Sequence, residues 1–164
     1  SDIYKMTIHD SKFSPLTTQP MIGEPTEWSP DGNMLLIFAD SGEGNFDIYV
    51  FEEISGKNLR LTDSAGFDSY PHWSPDGQKI IFISKRDGED EIYSMNADGS
   101  IQDNLTENPA AMDIWPSISR NGRLIVYLTS EDNQWKTMIM NADGSNKKDI
   151  TDLVGIAGSI SWRP

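Results

Sequence analysis

Short apolar runs recur along this chain, and turns rich in Gly, Pro, Asp and Asn separate them. The runs at residues 35–39, 80–83 and 124–128 consist mostly of Ile, Leu, Val, Phe and Tyr, which favour β-strands. No stretch of the chain shows the sustained three- and four-residue intervals of an amphipathic helix. The pattern therefore predicts an all-β chain of short strands.

A five-residue motif reveals an internal repeat. Residues 28–32 read Trp-Ser-Pro-Asp-Gly, residues 73–77 repeat them, and residues 118–122 read Ile-Ser-Arg-Asn-Gly. The spacing is 45 residues from Trp28 to Trp73 and from Trp73 to Ile118, then 44 from Ile118 to Trp162. Two further markers keep the same step: Ile-Tyr at 3–4, 48–49 and 92–93 with Thr-Met at 137–138, and Leu-Thr at 16–17, 61–62 and 105–106 with Ile-Thr at 150–151.

Each repeat unit contains four predicted strands. The first ends at the Trp of the motif, the second is the apolar run, the third spans residues 91–95 in the central unit, and the fourth lies at Leu105-Thr106. A period of 40 to 50 residues with four strands is typical of β-propeller blades. We therefore predict one propeller domain over residues 1–164 in which Trp28, Trp73 and Trp162 pack between blades. Its predicted units are a partial blade at 1–20, complete blades at about 21–65, 66–110 and 111–155, and a partial blade at 156–164.

The central unit resembles a known family. Residues 73–84 read Trp-Ser-Pro-Asp-Gly-Gln-Lys-Ile-Ile-Phe-Ile-Ser, residues 91–100 read Glu-Ile-Tyr-Ser-Met-Asn-Ala-Asp-Gly-Ser, and Leu105-Thr106 follow. This order resembles the TolB-type propeller repeat, which is distantly related to WD repeats. The resemblance implies a non-catalytic, protein-binding propeller of the bacterial periplasm or cell envelope. Similar blades also occur in prolyl oligopeptidase-like peptidases and polysaccharide lyases, so these functions, and carbohydrate binding, stay open as alternatives.

Composition and motifs narrow the function classes. The sequence contains 13 Lys and Arg residues and 26 Asp and Glu residues. The resulting net charge of -13 would repel the phosphates of nucleic acid. The longest apolar run is far too short to cross a bilayer, so no membrane insertion is expected. With no Cys, two His and no Gly-x-Ser-x-Gly motif, we predict no catalytic residues and no cofactor. The acidic loop at 87–91 lacks the alternating spacing of a calcium loop, and we predict no metal site.

The turns on one face of the predicted disc have nearly the same sequence in each unit, whereas the loops on the other face differ. The Ser-Pro-Asp-Gly and Asn-Ala-Asp-Gly turns share one face of the disc, here called the regular face, and are nearly the same in each unit. The opposite, variable face carries the loops at 41–46, 85–90 and 130–135 and the segments that enter each first strand. Recognition requires such differences, and aromatic residues are enriched at protein interfaces. We therefore predict a partner-binding surface on the variable face, with the candidate residues Asp68, Tyr70, His72, Asp113, Trp115 and Trp135.

The number of strands predicts an incomplete ring. According to the repeat, Ile3-Tyr4 belong to the third strand of a unit, and Trp162 ends the first strand of another. Three units between them are complete. An open arc would expose strand edges and apolar blade faces, which proteins normally cover. We expect further blades in a longer protein, or association of this chain with itself or another chain.

Overall fold

The computed structural model of this chain describes residues 4–7, 9, 12–15, 22–40, 42, 44–156 and 162. Nearly all regular structure within them is β-strand, and the single short helix is one turn long. In chain order the elements are β1 Tyr4–Thr7, β2 Lys12–Pro15, β3 Ile22–Trp28, β4 Met34–Asp40, β5 Phe46–Glu52, β6 Lys57–Arg60, β7 Asp68–Trp73, β8 Lys79–Ser84, β9 Glu91–Asn96, β10 Asp103–Asn104, β11 Met112–Ile118, β12 Leu124–Glu131, β13 Gln134–Asn141, β14 Lys148–Asp149 and α1 Thr151–Val154.

The strands form three four-stranded sheets and one two-stranded sheet. Strands β3 to β6, β7 to β10 and β11 to β14 each pair antiparallel in chain order, and β1 pairs with β2. These sheets confirm the predicted four-stranded propeller blades, and we call the three complete ones blades 1, 2 and 3. The predicted partial blade at 156–164 lies outside the described residues, apart from Ile156 and Trp162. The exact limits of the blades stay predictions.

Apolar side chains on both faces of blade 2 hold the three blades together. Because successive side chains of a strand point to opposite faces, Ile80 and Phe82 pack toward blade 1 whereas Ile81 packs toward blade 3. This explains why the second strand is a continuous apolar run instead of an alternating one. The cluster between blades 1 and 2 contains Leu36, Ile48, Val50, Leu61, Trp73, Ile80, Phe82, Tyr93 and Met95. The cluster between blades 2 and 3 contains Ile81, Ile92, Leu105, Ile125, Tyr127 and Met140.

The Trp residues of the repeat differ in environment. Trp73 is 4% exposed and belongs to the cluster between blades 1 and 2, which confirms its predicted packing role. Trp28 occupies the same repeat position but is 36% exposed. Trp162 donates its Nε1 hydrogen to the Ser117 carbonyl of blade 3 at 3.1 Å. The repeat position is therefore shared, but the degree of burial is not.

The fourth strand of blade 2 lies at Asp103–Asn104, so its predicted position at Leu105-Thr106 was wrong by two residues. Leu105 donates its N–H to the Ile92 carbonyl at 2.8 Å, and the Thr106 hydroxyl accepts the Ile92 N–H at 3.0 Å. The threonine side chain thus replaces a backbone acceptor and satisfies a buried donor. Thr62 and Thr151 accept the corresponding N–H groups of Ile48 and Thr137, both at 2.9 Å.

Side-chain hydrogen bonds fix the Ser-Pro-Asp-Gly turns of the regular face. Gly77 donates its N–H to the Ser74 carbonyl at 2.8 Å, as in the predicted type I turn. Asp76 Oδ1 accepts from the Ser74 hydroxyl at 2.6 Å and from the Gln78 N–H at 3.1 Å. These two bonds lower the pKa of Asp76 from its usual value of 3.8. In blade 3, Asn121 accepts the same pair of bonds through its Oδ1.

We expect Asp76→Ala to lower the free energy of unfolding by roughly 0.5 to 1.5 kcal/mol, because the turn loses two local hydrogen bonds. Since the pKa of Asp76 is lowered in the folded chain, its contribution is present above the unfolded pKa and is lost as the pH falls through the folded pKa. The difference from the wild type should therefore shrink in acid. Urea titrations at neutral pH and at a series of acidic pH values measure both the loss of stability and its dependence on pH.

The matched control is Asp76→Asn, which reproduces the residue found in blade 3. This variant should keep most of the stability at neutral pH but lose the pH-dependent part. Equal stability of the alanine and asparagine variants would contradict the structural role of these bonds.

Candidate functional site

The first strands of the blades lie at the inner edge of the arc. Strand β3 is in contact with β7, and both are edge strands of their sheets. Blades of a propeller approach one another most closely around the central channel, so β3, β7 and β11 are the strands nearest to it. The segments predicted to bind a partner enter these strands.

A β-bulge interrupts each first strand at the same repeat position. The pairing register breaks between Ser69 and His72 in blade 2 and between Ile114 and Ser117 in blade 3. Within these breaks Tyr70 has φ 49° and Trp115 has φ 54°, a left-handed conformation that is uncommon for bulky residues. Bulges of this kind redirect a side chain and are frequent beside functional sites.

The bulges place both aromatic rings on the surface. Tyr70 is 50% exposed and Trp115 is 44% exposed, while the prolines that follow them are buried. Blade 1 carries Pro25 at this position, and its register also breaks there. The proline ring fixes a negative φ, so blade 1 cannot adopt the same conformation. The two aromatic bulges are therefore specific to blades 2 and 3 among the described blades.

Tyr70 is the end of a chain of aromatic rings between blades 1 and 2. Its ring stacks on Phe38 with centroids 5.8 Å apart and planes at 26°. Phe38 contacts Phe46 at 6.0 Å, and Phe46 contacts Phe67 edge-on at 5.9 Å. Phe67 is itself about half exposed. The rings therefore hold one side of Tyr70 and leave the other side free for contact.

The remaining surface candidates, His72 and Trp135, have other contacts. His72 Nδ1 is 3.4 Å from the Glu27 carboxylate, which also accepts the Trp73 N–H at 3.0 Å and so connects blades 1 and 2. Trp135 is partly exposed and pairs with Ser130 at the end of the β12–β13 hairpin. Among the described residues, no ring contact joins Trp135 to Trp115.

Asp68 and Asp113 lie inside the protein, in contrast to the surface position that the sequence suggested. Asp68 is fully buried and Asp113 is 2% exposed. Each aspartate begins or nearly begins a first strand and points into the interface with the preceding blade. A partner protein could contact either carboxylate only through an opening in the surface that leads to it.

In blade 2 an arginine neutralises the buried aspartate. Arg86 Nη2 lies 3.2 Å from both carboxylate oxygens of Asp68, and Ser64 donates a further bond at 3.0 Å. Arg86 also donates through Nε to the Ser84 hydroxyl at 2.8 Å and through Nη1 to Gln102 at 2.7 Å. The guanidinium is thus bonded at all three nitrogens, a geometry that favours arginine over lysine.

Two aromatic rings complete the surroundings of Arg86. The guanidinium carbon lies 4.6 Å from the centroid of the Tyr93 ring and 5.5 Å from that of the Phe82 ring. These distances are within the range of cation–π attraction. Arg86 is therefore a structural residue of the interface between blades 1 and 2, and no motif of the repeat marks it.

Blade 3 carries Glu131 where blade 2 carries Arg86, and a cavity of about 150 Å³ lies there. Burial raises the pKa of Asp113 above its usual value, and the nearby Glu91 raises it further, while hydrogen bonds from Thr129 and Thr106 oppose this shift. Asp113 Oδ1 accepts no hydrogen bond from any described residue. In the repeat, the lining residues Asp113, Tyr127, Thr129, Met138 and Lys147 correspond to Asp68, Phe82, Ser84, Tyr93 and Gln102.

The described residues contain no group of three or more His, Cys, Asp and Glu side chains arranged to hold a metal ion. Within the same part of the chain, no helix is long and apolar enough to span a bilayer.

Comparisons with known proteins agree with this architecture. A sequence model of the TolB beta propeller domain matches residues 1–164. The solved structure of a putative TolB from Agrobacterium tumefaciens is similar with a TM-score of 0.73 and 26% identity, covering 90% of this chain and 59% of that one. Oligogalacturonate lyase from Vibrio parahaemolyticus is similar with a TM-score of 0.71, 12% identity and coverage of 92% and 46%. Puromycin hydrolase is similar with a TM-score of 0.69, 15% identity and coverage of 85% and 23%.

These similarities have different weight. At 12% and 15% identity, the similarity to the lyase and the hydrolase shows the fold alone. The chain spans less than two thirds of each of these proteins.

We expect Trp115→Gly to be more stable than Trp115→Ala by roughly 1 kcal/mol, because glycine adopts the left-handed conformation without strain. Chemical unfolding followed by circular dichroism measures this difference. Trp135 provides the control, because it is similarly exposed but is not among the residues with positive φ. There the order should reverse, and Trp135→Ala should be the more stable variant by roughly 0.5 to 1 kcal/mol. The same order at both positions would contradict the strained bulge.

Proposed function

Because the chain belongs to the TolB β-propeller family, we propose that it is a non-catalytic scaffold that recognises a partner protein through its variable face. The exposed pair Tyr70 and Trp115 carries this proposal. Both rings lie at one repeat position on the inner strands of adjacent blades, and both are held in left-handed bulges. A strained backbone that exposes a large aromatic residue contributes nothing evident to the core, whereas such residues frequently anchor interfaces.

The other candidate residues have graded roles in this proposal. Trp135 and His72 are exposed enough to contact a partner around the central pair. Asp68 is occupied by Arg86 and supports the fold of the site. Asp113 borders a cavity.

Enzymatic and carbohydrate-binding functions have less support. The similarity to oligogalacturonate lyase and puromycin hydrolase extends to the fold alone. Carbohydrate binding would also use exposed aromatic rings, but sugars favour flat stacking platforms lined by polar side chains. Tyr70 is held on one side by Phe38, which leads through Phe46 to Phe67, and this apolar surrounding better fits a protein partner. By the same family membership we propose a location in the cell envelope.

We also propose that the open side of the arc is covered in the working protein, either by further blades or by a second chain. The observation is the sheet of β1 and β2, in which Tyr4, Met6 and Phe13 are each more than half exposed. Met6 lies directly opposite Phe13 in the pairing, and Tyr4 shares the same face. Three large apolar side chains on one sheet face form a surface that proteins normally bury.

A binding experiment tests the proposed face. Peptides selected from a random library on the wild-type chain should bind the variant Tyr70→Ser/Trp115→Ser at least about 30-fold more weakly, equivalent to about 2 kcal/mol. The matched control is Leu59→Ser, which removes a similarly exposed apolar side chain from strand β6. Unchanged affinity for the double variant would contradict the proposed face. A large loss of melting temperature in that variant would instead assign the two rings to blade packing.

Light scattering at increasing protein concentration tests the covering of the arc. The isolated chain should associate with itself, and Phe13→Glu should shift it toward the monomer because a charge would enter the buried contact. Ile54→Glu alters an exposed turn residue of blade 1 and should leave the association unchanged. A strictly monomeric wild-type chain that melts cooperatively would refute association.

A further inference from the structure

The cavity beside Asp113 repeats the surroundings of Arg86 without the arginine. In blade 2 the guanidinium fills the space between Asp68, Ser84 and an aromatic ring. In blade 3 the corresponding Asp113, Thr129 and Tyr127 line an open cavity. The difference arises because Glu131 replaces the arginine and its side chain cannot bond a carboxylate in the same way. One interface therefore contains its cation, and the next has the same acceptors around an unfilled cavity.

The available atoms of this cavity are mainly hydrogen-bond acceptors. Asp113 is 2% exposed, yet its Oδ1 accepts no hydrogen bond from any described residue. The Thr129 hydroxyl bonds to Asp113, and a hydroxyl oxygen can also accept, as that of Ser84 accepts from Arg86. Glu131 adds a second carboxylate to the lining. A buried carboxylate with an unused acceptor is costly unless a donor can reach it, so a planar cation with several N–H groups is the fitting ligand.

The lysines near the cavity do not occupy it. Lys136 pairs with Glu131 at 3.8 Å. Lys147 is exposed and favours the ionised form of Asp113 through its charge, but among the described residues it forms no ion pair with that carboxylate. Asp149 also lines the cavity, and the buried Glu91 lies close enough to act on Asp113. The surroundings of Asp113 therefore contain more negative than positive groups, which favours a cationic ligand.

The size of the cavity restricts the ligand further. A volume of about 150 Å³ is well below the 300 to 1,000 Å³ typical of sites for whole small-molecule ligands. It accommodates a side-chain head group whose remainder stays outside. The Tyr127 ring takes the position of Phe82, against which the guanidinium of Arg86 lies. These features together correspond to an arginine presented by another polypeptide.

We propose that the cavity between blades 2 and 3 binds the guanidinium of an arginine side chain presented by a partner protein, in the position that Arg86 occupies between blades 1 and 2. This inference rests on the proposed protein-binding function and names one chemical feature of the partner. It assigns Asp113 and Thr129 as acceptors, Tyr127 as the ring beneath the cation, and Glu131 as the residue that keeps the cavity open.

Nuclear magnetic resonance of the whole chain tests this assignment with three probes: the acetylated amides of arginine, lysine and citrulline. The arginine probe should shift the signals of Asp113, Thr129 and Tyr127 with a weak Kd of about 1 to 10 mM. The citrulline probe has the same shape without the charge and should produce no shifts, and the lysine probe should bind more weakly. No response to the arginine probe at about 10 mM, or an equal response to citrulline, would overturn the proposal.

Two variants locate the binding. Asp113→Asn should remove the response to arginine. Glu131→Arg restores the residue of blade 2, so it should fill the cavity from within and also remove the response while the melting temperature is kept or raised. If Asp113→Asn fails to fold, Glu131→Arg alone decides the question. An undiminished response in the folded Glu131→Arg variant would overturn the proposal.

Peptides distinguish a partner's arginine from the free amino acid. Arginine-containing peptides selected on the wild-type chain should bind more tightly than the arginine amide and lose at least tenfold when that arginine is replaced by citrulline. Equal affinity of the free amide and the peptides would indicate a small-molecule site and contradict the protein source. The variant Tyr70→Ser/Trp115→Ser should still respond to the arginine amide, so a failure of the proposed interaction face and a failure of this cavity give different results.

Discussion

The interfaces between blades depend on how the chain accommodates a buried aspartate at the start of each inner strand. Asp68 and Asp113 occupy the same repeat position and are both buried, in a setting where an isolated carboxylate is strongly disfavoured. Arg86 satisfies Asp68 and connects it through Gln102 to the Leu61 carbonyl of blade 1. In blade 3 two threonine hydroxyls bond Asp113, and part of its hydrogen-bonding capacity is left unused.

This arrangement explains why the two ends of the blades differ. On the regular face, Asp76 forms its hydrogen bonds within its own turn. Gly99 packs so closely against Leu61 of the preceding blade that a Cβ would lie 2.9 Å from the Leu61 carbonyl oxygen. Gly144 approaches Leu105 of blade 2 in the same way, so blades 2 and 3 keep the same residues at this turn. On the variable face, the bulges and the aspartate partners change from blade to blade, and aromatic rings or an open cavity reach the surface. Variation is therefore concentrated where the fold tolerates it.

Much of the fold could be predicted from the sequence, because the 45-residue step and the Ser-Pro-Asp-Gly turns have direct structural causes. The shared position of Tyr70 and Trp115 was visible too. Their left-handed bulges were not, since no turn residue marks them and the strain depends on the surrounding sheet. The burial of Asp68 and Asp113 also escaped prediction, because their partners Arg86, Thr106 and Thr129 come from other segments of the chain. Comparing Arg86 with Glu131 across the repeat was the one sequence signal that could have revealed the cavity.

The most direct measurement is the titration of the Asp113 carboxyl carbon by nuclear magnetic resonance, in the wild type and in Glu131→Arg. If the buried aspartate lacks its cation, the wild-type carboxyl has a raised pKa, as burial in blade 3 requires. Supplying the arginine from within the chain should then lower that pKa, because a guanidinium beside the carboxylate favours its ionised form. An ordinary pKa in the wild type, or no change in Glu131→Arg, would contradict the account.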